Sequence, residues 1–387
     1  MKTRFTIDHF EQWTRLVLPS LNTATEVGEL SVDNFGSAFR PWVTACSTYC
    51  RSTSLSTETA RRLLVLLTFG VNSTERHHQT NGAEQGEGLR SLEHAEDLLL
   101  TLGGKAGLPP HGSLYTVWLL NRSNPPLTFT GDAQERFFHA AVLRTNDFNQ
   151  ESCRLLRMIT KRRISLRSQK AIEAMGVAER NAHQLQRLYT SFMVTEKTTG
   201  QRPITPEFFA TRMRTYLVSY PVANQMRSGG NAGDLPSQIQ LDHIIGTTMK
   251  RYERILSHRL PNLTGADRRQ IHEDIARPSI FDLFLQDLGV SRSTCEGDRD
   301  PSVLVNQLPG STRPAAKALA RLIKAHGDAS AAHWALIVNF LIRIDRHVDQ
   351  VTVPVPTSHG TGGLDHETTH EIMRMRREHP AAAWRIQ

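Results

Sequence analysis

Arg346-His347 is followed thirteen residues later by Gly360-Thr361-Gly362-Gly363, and this pairing is the chain's clearest chemical feature. Leu336, Ile337, Phe340, Ile344 and Val351 flank His347 at spacings of three and four, the period of a buried helix face. An imidazole on such a face needs a partner, because burying an unpaired polar ring is costly. A hydrogen-bonded core histidine is one solution. A haem iron is another, since it binds one proximal imidazole and leaves its opposite face open for O2. Three glycines in four residues let a backbone approach a flat ligand and free its N–H groups for an anion such as a propionate.

Three further segments carry residues of the same kind. Ser228-Gly229-Gly230-Asn231-Ala232-Gly233 runs on to Asp242 and Gly246. Upstream of it, Phe208-Phe209 precedes Arg214-Thr215-Tyr216-Leu217. Gly107-Leu108-Pro109-Pro110 leads to Tyr115, Trp118 and Asn121, then to Leu127-Thr128-Phe129-Thr130-Gly131 and Phe137-Phe138. A planar guanidinium such as that of Arg214 suits a carboxylate, because two parallel N–H bonds fix orientation as well as charge. The plain alternatives are an exposed helix arginine beside Arg212 and an ordinary loop hydroxyl at Thr130.

Taken in order, these segments resemble the indoleamine and tryptophan 2,3-dioxygenase superfamily of b-type haem enzymes. Leu18-Pro19-Ser20-Leu21-Asn22 and the Leu-Pro-Pro…Thr-Val-Trp spacing resemble its monodechloroaminopyrrolnitrin synthase-like branch. The resemblance implies haem b held by His347, with Gly360, Gly362 and Gly363 against it, and O2 as co-substrate. It implies that Arg214 grips the carboxylate of an indole amino acid and that Phe209, Gly230, Asn231 and Ala232 wall the pocket. Thr361 would contact the bound amino acid and the haem edge, and Thr130 (or Thr128) would take the place of the distal serine. The implied reaction is oxygenation of the indole ring of tryptophan or a derivative, with rearrangement or mono-oxygenation of a modified tryptophan as the alternative. Asp234-Leu235-Pro236 departs from the Gln-Ser-Ser of the dioxygenases, which leaves the substrate open.

A rival motif lies just downstream. His366-Glu367-Thr368-Thr369-His370 is a His-Glu-x-x-His, the arrangement of a zinc peptidase with the glutamate as general base. Met373 and Arg376 stand where an extended motif would carry Gly and His, and only 17 residues follow His370. An amphipathic helix after the glycine loop is the expectation.

Composition narrows the remaining classes. The net charge of +8 and a pI near 9.6 raise a nucleic-acid reading. The basic runs Lys161-Arg162-Arg163 and Arg374, Arg376, Arg377 carry no interleaved stacking aromatics, so both read as solvated helix faces and no nucleic-acid partner is expected. No apolar run is long enough for a membrane span, and the start shows no secretory pattern. Four cysteines, none in a Cys-x-x-Cys-His, imply neither a disulfide framework nor thioether-linked haem, and a reducing cytoplasm is expected.

Helical periodicity dominates, at 58–69, 89–102, 134–159, 168–196, 206–219, 237–258, 313–326 and 329–351, with no alternating strand pair. Thr205 reads as a cap before Pro206, and Asp328 as the cap of the His347 helix. The 71–88 stretch, with His77-His78, reads as a solvated loop. The Asn-Pro-Pro break predicts an all-α chain with a smaller amino-terminal domain, 1–124, and a larger carboxy-terminal bundle, 125–387.

Overall fold

The computed structural model describes residues 5–195, 200, 202–248, 252–290, 310–342 and 366–384. Helices α1 (Ile7–Leu16), α2 (Leu18–Glu26), α3 (Val32–Ser52) and α4 (Thr57–Thr80) open the chain. Thr6, Ser31 and Ser56 cap α1, α3 and α4, each accepting from the backbone N–H three residues on. Short α5 (Glu87–Arg90) and α6 (Ala95–Ala106) follow, then a buried π turn at Tyr115–Leu119. Two long helices come next, α7 (Ala133–Thr160) and α8 (Gln169–Ser191). A π segment at Phe208–Met213 runs into a 3-10 turn at Arg214–Tyr216. Beyond it lie strands β1 (Tyr220–Val222) and β2 (Gln225–Arg227), then α9 (Pro236–Ile245), α10 (Tyr252–Arg259), α11 (Gly265–Ile275) and α12 (Ile280–Leu288). Helix α13 (Arg313–Ile337) passes into a second π segment, Val338–Ile342, and α14 (His366–Arg377) closes the described bundle.

The chain is predominantly all-α, as its periodicity predicts. Helices α7, α8 and α13 pack side by side, with α14 against α13. One core cluster joins Phe39, Leu63, Trp118 and Phe209 to Phe340, and a second joins Leu156, Met175, Phe284 and Leu319. The first draws side chains from both sides of Asn124, so the division into 1–124 and 125–387 is a proposal about organisation, with a shared core across it. No helix among the described residues is long and apolar enough to cross a membrane.

Four local expectations are corrected. The 71–88 stretch is not a solvated loop, because α4 continues through Thr80 and is buried to His77. Its polar residues have partners far away in sequence. Asn72 donates to the Tyr216 carbonyl at 3.1 Å, Arg76 pairs with Glu26 at 3.1 Å, and His77 Nε2 meets Asn22 Oδ1 at 3.0 Å. Asp328 caps nothing; it lies within α13 and pairs with Lys324 at 2.7 Å. Gly327 is a close-approach glycine there, since a Cβ would stand 2.9 Å from Arg377 Cα, where α14 crosses. The single helix expected over 237–258 is interrupted after α9 at Gly246, whose φ of 96° ends it. A two-stranded hairpin exists where no strand was expected. Its turn residues Ala223 and Asn224 both take left-handed φ, 50° and 58°, as a two-residue hairpin turn requires. Three-residue strands are too short to show alternation. Thr205 does cap its segment, accepting from Phe208 N at 3.2 Å, although the helix there is π.

Buried imidazoles make the fold sensitive to acid. Burial holds His77 and His111 down to about 3 and His139 to about 4. A depressed histidine pKa means that the unfolded chain takes up the proton first, so stability falls as pH drops below the unfolded value near 6.5. Burial pushes Asp234 the opposite way, up to about 6, which offsets one of those protons. Each proton that the unfolded chain binds in excess corresponds to about 1.4 kcal/mol lost per pH unit. Denaturant titrations between pH 6.5 and 4.5 should therefore show a steep loss of stability; a flat profile would contradict the burial of these rings.

Candidate active site

A cavity of about 220 Å³ lies among α7, α8, α13, α14 and the turn at 231–235. One side is aromatic. Phe138 and Phe209 stand 5.3 Å apart between centroids, Phe209 and Phe340 5.8 Å, and Phe192 and Phe340 6.2 Å. Phe209 and Phe340 come from the two π segments, whose wider turns re-aim side chains and recur at functional sites. Both lining positions follow from the chain itself: Thr205 starts the first segment, and the three-and-four spacing of Leu336, Ile337 and Phe340 faces the cavity.

The other side is polar and cationic, formed by Arg259, His326, Ser330, His333 and Arg376. Beneath it lies Asp242, fully buried. Arg376 donates to both of its oxygens, at 2.9 and 2.6 Å, and also to Ser330 Oγ at 3.2 Å. Tyr252 donates to Asp242 at 2.8 Å, and the His326 ring meets it at 2.9 Å. Burial alone would push the Asp242 carboxyl up; the Arg376 charge and the His326 contact override it and hold the carboxyl below the usual range. His333 packs against Tyr189 at 5.0 Å. It is open to the cavity yet densely surrounded by protein, and burial with the nearby Arg376 and Arg259 charges keeps it neutral, at about 4. From Ser330 to Phe340 is ten residues, so the cationic and aromatic sides are roughly 15 Å apart along the helix.

The residues singled out by sequence are distributed unevenly. Phe209, Asn231 and Ala232 line the cavity. Gly230 lies behind them: its carbonyl accepts from Trp118 Nε1 at 3.1 Å, and a Cβ there would stand 3.0 Å from Val117 Cγ2. Arg214 is buried, 2% exposed, and is not among the described residues that line the cavity. Thr130 is also outside the lining; its hydroxyl donates to Glu135 at 2.7 Å, part of the set of bonds that ties the turn to α7. His347, Gly360, Thr361, Gly362 and Gly363 lie outside the described residues.

The rival motif opens α14. Glu367 is exposed, and the His370 ring sits 5.0 Å from Trp334. Among the described residues no group of three or more His, Cys, Asp or Glu side chains is placed to hold a metal ion. Arg376, read from sequence as part of a solvated basic run, is instead buried on the cavity side of this helix. Its spacing from Ile372 and Met373, four and three residues, was the available signal, because that is the buried stripe. His326, Ser330 and His333 show the same spacing on α13. Asp242 was marked only by its place downstream of the Ser228–Gly233 segment, and Arg259 gave no comparable sign.

The described walls suit a flat, mostly apolar group with anionic arms: rings on one side, guanidinium groups on the other. This is the chemistry of a porphyrin with its propionates. A predominantly all-α protein with an aromatic and cationic cavity is the class these observations define. The model of the monodechloroaminopyrrolnitrin synthase PrnB family matches residues 53–353, and the chain belongs to that family, within the haem tryptophan dioxygenase superfamily. The family is one of haem-dependent, oxygenase-type enzymes of tryptophan derivatives. No curated protein matches the chain significantly.

Proposed function

We propose that this chain is a haem-dependent enzyme of oxidative chemistry on the indole ring of a tryptophan derivative. The observation that carries the reading is that the family match and the cavity coincide. The matched region, 53–353, supplies most of the cavity wall, and that wall offers an aromatic face to a ring and a cationic face to carboxylates. In this reading haem b is held by His347, with Gly360, Gly362 and Gly363 allowing close backbone approach. The bound haem supplies the activation of O2, the co-substrate. The protein's part is orientation and polarity. Phe138, Phe209 and Phe340 exclude water and hold a ring, and Asn231 and Ala232 shape the turn beside it. Thr361 contacts the substrate. Arg214 as carboxylate partner and Thr130 as distal hydroxyl also belong to this reading; for Thr130 the role requires giving up its bond to Glu135.

Two outcomes divide the reading. Dioxygenation of the indole is the one implied by the superfamily at large. Rearrangement or mono-oxygenation of a modified tryptophan is favoured by membership of the monodechloroaminopyrrolnitrin synthase family. Purified protein should show a Soret band, and product mass after turnover under ¹⁸O-labelled O2 separates the outcomes. Two labelled atoms indicate dioxygenation; one or none indicates the alternative. A protein prepared with ample haem that shows no Soret band would remove both.

A further inference from the structure

Arg259 ends α10 and lines the cavity, yet is only 9% exposed. Its Nε has no hydrogen-bond acceptor among the described residues. The Asp234 carboxylate is its ion-pair partner, but Oδ1 stands 3.8 Å from Nε, too far for a hydrogen bond. That carboxylate is engaged elsewhere, accepting from Asn231 Nδ2 at 3.2 Å. Arg376, the other guanidinium on this wall, is already neutralised by both oxygens of Asp242. Its charge is spent in the network beneath the cavity.

A guanidinium offers five N–H donors, and burying it without acceptors costs far more than a typical neutral hydrogen bond returns. The Arg259 Nε–H therefore lacks an acceptor of the right geometry and sign among the described residues. The neutral imidazole of His333 shares that side and adds a ring nitrogen but no charge. A carboxylate meets the need of the guanidinium fork with two parallel bonds.

We infer that Arg259 is the residue that receives the carboxylate of the cavity's ligand. The identity of that carboxylate rests on the haem and indole reading above, and two sources share the chemistry: a haem propionate, or the carboxylate of the amino acid substrate. In both cases the ligand's ring system extends from Arg259 toward the phenylalanines contributed by α7 and the two π segments. If the carboxylate is the substrate's, Arg259 takes the role given above to Arg214, which lies outside the lining; if it is a propionate, both assignments stand.

Full-length protein prepared without added haem tests this with two ligand pairs. Haem b is compared with its dimethyl ester, which lacks free propionates, and tryptophan with tryptamine, which lacks the carboxylate. Arg259→Leu should weaken binding of the carboxylate-bearing member of one pair by roughly twentyfold or more, while its neutral partner changes less than about threefold. A selective loss for haem over the ester assigns the propionate. A selective loss for tryptophan over tryptamine assigns the substrate. Arg259→Lys should recover part of the selective loss, which a purely structural role would not predict, and it serves as the second variant if the leucine form does not fold. Equal losses within both pairs, no loss in either, or unaltered protein that discriminates in neither pair would overturn the proposal. Failure of the haem reading is seen separately: protein that takes up neither haem nor its ester loses that reading, while the tryptophan pair still tests Arg259.

Discussion

His347→Ala is expected to purify with little or no haem, and the unaltered protein with about one non-covalent haem per chain. The expectation follows from position. In sequence His347 stands seven residues beyond Phe340, which with Leu341 lines the cavity from the π segment after α13. The imidazoles of the cavity wall among the described residues have other surroundings: His326 is bound to Asp242, and His333 packs on Tyr189. In the proposed reading His347 would hold the haem iron, and its loss would remove a metal–nitrogen bond that no hydrogen bond replaces. Pyridine haemochrome content per chain is the measurement, and near-normal melting would show that the fold survived. A full haem complement with unchanged activity in His347→Ala would end the assignment of His347.

The second large effect concerns the network beneath the cavity. Asp242→Asn should destabilise the fold by about 3–5 kcal/mol, because Arg376 would remain buried without a counter-charge. In melting temperature this is about 4–6 °C for a chain of this length. The amide oxygen of the variant can still accept from Tyr252, but its NH2 then faces Arg376 Nε and His326, so one acceptor is lost together with the charge. Pairing it with Arg376→Met should recover much of the loss, since removing both partners of a buried pair costs less than removing one. A double variant no more stable than Asp242→Asn would mean that the hydrogen bonds to His326 and Tyr252, rather than the ion pair, stabilise this region.

The sequence carried more of the fold than of the site. Period three-and-four spacing located α7, α8 and α13, because each presents one apolar stripe to a core that needs no other information to be recognised. It located Phe340 for the same reason, whereas Phe209 came from the motif that joins it to Arg214. It failed for the end of α4, where Asn72, Arg76 and His77 look solvated until Tyr216, Thr215 and Asn22 are brought against them. It also misplaced Asp328, since a glycine beside an acid reads as a break unless the crossing of α14 at Gly327 is known.

Charged residues mark the boundary between the two sources of information. By itself the sequence determined an all-helical chain and family membership, and it pointed to His347, the glycine loop and the aromatic positions, all through local period and motif. The tertiary structure decided which charges are buried and with what. Asp242, His326 and Arg376 lie 84 and 50 residues apart in turn, yet share one hydrogen-bonded cluster. Arg259 faces the cavity while Arg214 does not line it. A local pattern reports whether a position is apolar; the partner of a buried charge is chosen by whichever distant segment packs against it, and no local pattern encodes that.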